Sequence, residues 1–120
     1  MDRRARGADG ERRAVELLER KGYTILARNY RRRAGEIDLI AFDGGEVVFV
    51  EVKARSGERK GSALSAVTPR KQRTIARVAE QFLAERGLAG RPCRFDVVAL
   101  VEEHGGQRDE IVRGAFVLDR

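Results

Sequence analysis

The sequence predicts an α/β fold in one domain, ordered αβββαβ with a final strand, its mixed sheet flanked by helices. Three observations predict it. The chain has 120 residues, the size of one domain with one modest core. Two segments space their apolar residues at helical intervals. The remaining apolar runs are short, rich in β-branched and aromatic residues, and bounded by glycine turns. One helix on each side of the sheet is the simplest packing of such a set.

The elements follow in order. Residues 1–8 read as a loose basic arm, and residues 9–120 as the domain. Asp9 can cap a helix that runs to about Lys21 and ends at Gly22, with Ala14, Val15, Leu17 and Leu18 as its apolar stripe. Residues 23–30 read as a first strand and Arg31-Arg32-Arg33 as a basic connection. Residues 36–42 and 46–54 are two further strands, joined through Gly44-Gly45, which suits a tight hairpin turn. Residues 55–67, rich in Gly, Ser, Lys and Arg, form a long loop. Thr68 caps a second helix with Pro69 at its first position, and Ile75, Val78, Ala79, Phe82 and Leu83 form its core face. Strands at 94–101 and 111–118, separated by Gly105-Gly106, complete the chain.

Composition narrows the function classes. Apolar residues are 42% and charged residues 37%, too apolar for a disordered tail and too charged for a membrane protein. The longest clean apolar run is Val47-Val48-Phe49-Val50, far short of a bilayer span, and the N-terminus has no apolar secretory segment. The single cysteine, Cys93, excludes an internal disulfide and a cysteine-based metal knot, so a reducing, cytoplasmic setting fits best. The only histidine, His104, lies in a Glu-rich turn, which leaves no Ser-His-Asp set.

The net charge of +6 is uneven. Residues 1–33 carry +6, residues 34–53 carry −4, residues 54–91 carry +6 and residues 92–120 carry −2. Basic blocks attract polyanions, of which nucleic acid is the commonest. An acidic island between them serves a metal-dependent phosphodiesterase better than a plain nucleic-acid binder.

The central hairpin focuses that island. With a two-residue turn, Phe42 faces Val47, Ile40 faces Phe49, Asp38 faces Glu51 and Glu36 faces Lys53, all eight on one sheet face. Opposed carboxylates would then lie about 4.5–5.5 Å apart at Cβ and repel unless a cation sits between them. Mg²⁺, which takes oxygen ligands, fits; Lys53 on the same face can contact the attacking water or the phosphate, with Glu36 steadying it. A solvated face of alternating charge is the plainer reading of the same residues. Glu11 lies on the buried stripe of the first helix, as a third acid or simply as an acid suited to the helix dipole.

Five segments together resemble the YraN family. They are Gly10-Glu11, Asn29-Tyr30-Arg31, Gly35-Glu36-Ile37-Asp38-Leu39-Ile40, residues 48–55 (VFVEVKAR) and Arg94-Phe95-Asp96-Val97-Val98. These are small bacterial proteins described as predicted endonucleases, placed in the PD-(D/E)xK, restriction-endonuclease-like superfamily near archaeal Holliday junction resolvases. The resemblance spans roughly residues 8–118. It implies that Asp38 and Glu51 are the acidic motif positions, Lys53 the motif lysine, and Glu11 the helical glutamate of the resolvase-like branch. It also implies the backbone carbonyl of Val52 as a further metal ligand. Ile37 stands where proline often precedes the first aspartate, and Gln72 lacks a tyrosine four residues on, which disfavours a recombination-type exonuclease.

The expected activity is Mg²⁺-dependent hydrolysis of phosphodiester bonds in DNA, with branched or junction DNA as a candidate substrate and Mn²⁺ as a substitute. Asp38, Glu51, Glu11 and Val52 are the expected metal ligands. Arg31, Arg32, Arg33, Arg55, Arg59, Lys60, Arg70, Lys71, Arg73 and Arg77 are candidate phosphate contacts. Lys71, four residues before Ile75 on the apolar stripe, either reaches the acids or snorkels. Asp96 has no evident partner and is expected to be structural. A non-catalytic nucleic-acid adaptor and a nuclease for structured RNA are the alternatives. A homodimer is expected by analogy with junction-cutting nucleases.

Overall fold

The structure, a computed structural model, describes residues 3–56 and 66–117, with side chains described for 9–54 and 66–117. Seven elements follow in the order α1 (Arg3–Arg20), β1 (Thr24–Arg32), β2 (Gly35–Asp43), β3 (Glu46–Ser56), α2 (Pro69–Glu85), β4 (Cys93–Glu103) and β5 (Gly106–Phe116). The five strands form one sheet in chain order. β3 and β4 are parallel and every other neighbouring pair is antiparallel. This mixed α/β sheet is consistent with a restriction-endonuclease-like fold.

The two sheet faces carry separate cores, as the helical stripes require. Ala14, Val15, Leu17 and Leu18 of α1 pack on Leu39, Ala41, Val48, Val50, Val98 and Leu100. Ile75, Val78, Ala79, Phe82 and Leu83 of α2 pack on Ile37, Ile40, Val47, Phe49, Val97 and Ala99. Alternation along β3 decides the split: Val47 and Phe49 face α2, whereas Val48 and Val50 face α1. Thr68 caps α2 as expected, its side chain accepting from the Lys71 N–H at 3.2 Å.

Three boundaries differ from expectation. α1 begins at Arg3 rather than after Asp9, which is an exposed helical residue ion-paired with Arg12. The expected loose arm over residues 1–8 falls on residues whose side chains lie outside the described set. β1 continues through Arg31 and Arg32, which pair with Glu36 and Gly35, so only Arg33 and Ala34 turn the chain. β5 starts at Gly106, five residues early, because Glu103 pairs with Gly106 across a tight turn. Its polar first residues concealed it: the strand forms the sheet margin, where one edge and much of one face meet water.

Gly35 lets α2 seat on β2. A Cβ at this position would lie 2.5 Å from Thr74 Cγ2, well inside contact distance. The helix therefore rests on bare backbone there, next to the acidic end of the hairpin.

Candidate functional site

The hairpin register agrees with expectation from the turn to the middle. Asp43 pairs with Glu46, Phe42 with Val47, Ile40 with Phe49 and Leu39 with Val50. The ladder then stops. Asp38 does not pair with Glu51 in the strand ladder; its Oδ2 instead accepts the Val52 N–H at 2.8 Å. The physical cause is a break in alternation along β2. Ile37 and Ile40 both enter the α2 core while Leu39 enters the α1 core, so the chain turns at Asp38.

This break corrects one expected contact. Glu36 does not share a face with Lys53, because Ile37 takes the position against α2. Glu36 lies opposite Arg31 and pairs with its guanidinium at 3.3 Å.

The acids nonetheless meet. Glu51 is 3% exposed, and its Oε1 has no hydrogen-bond partner among the described residues. Burial, followed by the neighbouring Asp38 charge, pushes the Glu51 carboxyl from 4.5 up to about 8. The Lys71 and Lys53 ammonium groups pull the other way. Asp38, Lys53 and Lys71 thus each act electrostatically on Glu51. Lys71 on α2 and Lys53 on β3 place positive charge within electrostatic range of Glu51.

Val52 completes the opening through its backbone. The N–H and C=O of a strand residue point to the same edge. Since the Val52 N–H faces β2, its carbonyl faces that edge too, past the last paired residues Leu39 and Val50.

Glu11 on α1 is half-buried and accepts from the Asn29 side-chain amide at 2.8 Å. Among the described residues no three His, Cys, Asp or Glu side chains are grouped to hold an ion. The group brought together is therefore Asp38, Glu51 and the Val52 backbone, with Glu11 tied to Asn29. An oxygen-only set with two carboxylates is chemically of the kind that suits Mg²⁺, which keeps most of its waters.

The basic candidates divide. Arg70, Arg73 and Arg77 are exposed and fall on one side of α2. Arg31 and Arg33 are exposed on β1 and its turn. Arg32 is already engaged: its Nε and Nη2 bond both Glu85 oxygens at 2.9 and 2.7 Å, and its guanidinium lies 4.1 Å from the Tyr30 ring centre. It clamps β1 to α2 because a bidentate carboxylate and an aromatic face satisfy it together. The Arg55 side chain, Arg59 and Lys60 lie outside the described residues.

Two features escaped the sequence reading. Asp96 has partners: the Tyr23 hydroxyl, the Arg94 guanidinium and the Gly114 N–H all donate to it. Arg94 also bonds Asp43 at 2.6 Å and Glu46 at 3.0 Å, locking the hairpin turn to β4. The signal was Arg and Asp two residues apart in a strand, hence on one face. The other is Asn29, a polar residue within a strand run and one of the few types that tolerate left-handed backbone.

Residues 10–100 match the model of the family described as Uncharacterised protein family UPF0102. A UPF0102 protein of Symbiobacterium thermophilum is 51% identical over 117 residues, covering 97% of this chain and 98% of that protein. One from Moorella thermoacetica is 48% identical over 118 residues, covering 97% and 98%. One from Geotalea uraniireducens is 43% identical over 118 residues, covering 98% and 93%. Matches of this length and identity include both hairpin strands and both helices, and this chain belongs to the UPF0102 family, the YraN-like group its motifs resemble.

Proposed function

We propose that the protein is a metal-dependent endonuclease that hydrolyses phosphodiester bonds in DNA, with branched or junction DNA as its substrate class. The supporting observation is the buried Glu51 carboxyl, one oxygen without a partner among the described residues, beside Asp38 and within electrostatic range of Lys53 and Lys71. Such an arrangement destabilises the fold unless it is used.

Asp38, Glu51 and the Val52 carbonyl would hold Mg²⁺ or Mn²⁺, with Glu11 on α1 as a third acid. Bound there, a divalent ion supplies Lewis-acid polarisation of the phosphate and makes water a stronger acid. The chain supplies the rest. Lys53 offers an ammonium to orient the attacking water or to offset charge building on the phosphate. Lys71 adds a second cation from α2. Arg70, Arg73 and Arg77 give the sugar–phosphate backbone a track along the same helix, and Arg31 and Arg33 extend it past β1. Two copies related by a two-fold axis would address both strands of a junction. With one cysteine and, among the described residues, no helix long and apolar enough to cross a membrane, the reducing cytoplasm is the compartment proposed.

The test is cleavage of linear, nicked, flapped and four-way DNA with Mg²⁺ or Mn²⁺, beside Asp38→Ala and Lys53→Ala. The expected result is divalent-dependent cutting, with losses of about 10²-fold or more in each variant. Nicking that persists in both variants would overturn the assignment, and metal-independent binding without cleavage would favour an adaptor.

A further inference from the structure

Asn29 is, among the described residues, the one non-glycine residue with left-handed φ, at +49°. It stands where β1 and β2 lose their pairing. Tyr30 pairs with Ile37 and Arg28 with Leu39, which sets Asn29 opposite Asp38, yet that pair is missing from the ladder. On the far side of β2, Asp38 has turned to the Val52 N–H. On the near side, the Asn29 amide donates to Glu11 Oε2 at 2.8 Å. One residue thus adjoins both the acid at the break and the acid on α1.

We propose that Asn29 is a positioning residue for the acid site. Its left-handed backbone releases Asp38 from the ladder toward β3, and its side-chain amide holds Glu11 beside the same break in the β1–β2 pairing. This rests on reading Asp38 and Glu51 as a divalent-cation centre. Two properties are needed at once, and asparagine has both. It enters the left-handed region at lower cost than most residues, and its amide nitrogen can only donate, which suits a carboxylate. A residue serving merely to kink the strand would be replaced without loss by glycine, which takes positive φ freely. A residue that also holds Glu11 would not.

The variants separate these roles. Asn29→Gly keeps the backbone and drops the amide; Glu11→Ala drops the acid that the amide holds. Mn²⁺ affinity of the full chain is measured by calorimetry for the wild type, each single variant and the double variant, with Asp38→Ala as the blank. The expected result is a loss of about tenfold in each single variant, the usual scale for a group supporting a metal ligand. The double variant should be no weaker than Glu11→Ala alone, because Asn29 acts through Glu11. A wild-type affinity in Asn29→Gly, or losses that simply multiply in the double variant, would overturn the role of Asn29 while leaving the metal centre intact. No Mn²⁺ binding by the wild type would overturn the metal centre itself. A second measurement needs no variant: titrating ¹⁵N-labelled wild type with Mg²⁺ should move the Asn29 side-chain amide signal together with the Val52 backbone amide. A stationary Asn29 signal beside a moving Val52 signal would refute the proposal.

Discussion

The Tyr23 hydroxyl donates to the Asp96 carboxylate at 2.7 Å, joining the start of β1 to a β4 residue that is fully buried. The same carboxylate takes Arg94 Nε at 3.0 Å and the Gly114 N–H at 3.0 Å. A buried charge so completely bonded is costly to break from one side, since its partners stay behind unsatisfied. Asp96→Ala is predicted to destabilise the fold by about 3–5 kcal/mol, read from urea unfolding. A loss below about 1 kcal/mol would show that the cluster behaves like an exposed ion pair.

Gly35→Ala is predicted to fail through both space and conformation, since φ at Gly35 is +155°. The added methyl would lie 2.5 Å from Thr74 Cγ2, so α2 must lift from β2. Overpacking of this kind costs about 1–3 kcal/mol. Thr74→Ser in the same chain removes the opposing methyl and should recover part of the loss in a thermal melt. No recovery would mean that the backbone angle at Gly35, not the helix contact, is limiting.

Glu51 sets a pH dependence of stability. Its folded-state pKa of about 8 lies above the ordinary 4.5, so the native state holds the extra proton. The associated stabilisation is complete below about pH 4.5 and is lost as pH rises through about 8. Without divalent ions, the wild type should lose on the order of 3 kcal/mol relative to Glu51→Gln between pH 5 and 9. Parallel denaturation profiles for the two proteins across that range would refute it. Adding Mg²⁺ above pH 8 should restore stability to the wild type only.

Lys71 on α2 acts electrostatically on Glu51 and lowers its pKa. Lys71→Ala should therefore raise that pKa further and reduce divalent-dependent DNA cleavage by about 10²-fold, whereas Lys71→Arg should retain the cation and much of the rate. Equal rates for Lys71→Ala and the wild type would confine the active cation to Lys53.

The parts of this molecule legible in its sequence are those ruled by periodicity. The α2 core face, the Thr68 cap and the Ile40–Phe49 register follow from spacing and from a two-residue glycine turn. The pairing of Asp38 with Glu51 was legible as proximity but not as geometry. Strand alternation assumes an unbroken ladder, and Asn29 and Asp38 break it at the acids. Arg32 reads as one of three equivalent arginines, yet Glu85, 53 residues away in the chain, captures it. Asp96 and Arg94 show the same limit: their partners Tyr23 and Asp43 are brought to them only by the closed sheet.

The two ends of the β2–β3 hairpin are opposites. At the turn, Arg94 binds Asp43 and Glu46 and neutralises them; at the open end, Glu51 lies buried beside Asp38 and gives up its proton only near pH 8. A single exchange of Glu51 for an amide would make the protein sturdier while removing that ionisation. Above about pH 8 the side chain that gives this end its acidity is therefore also the one the fold tolerates least.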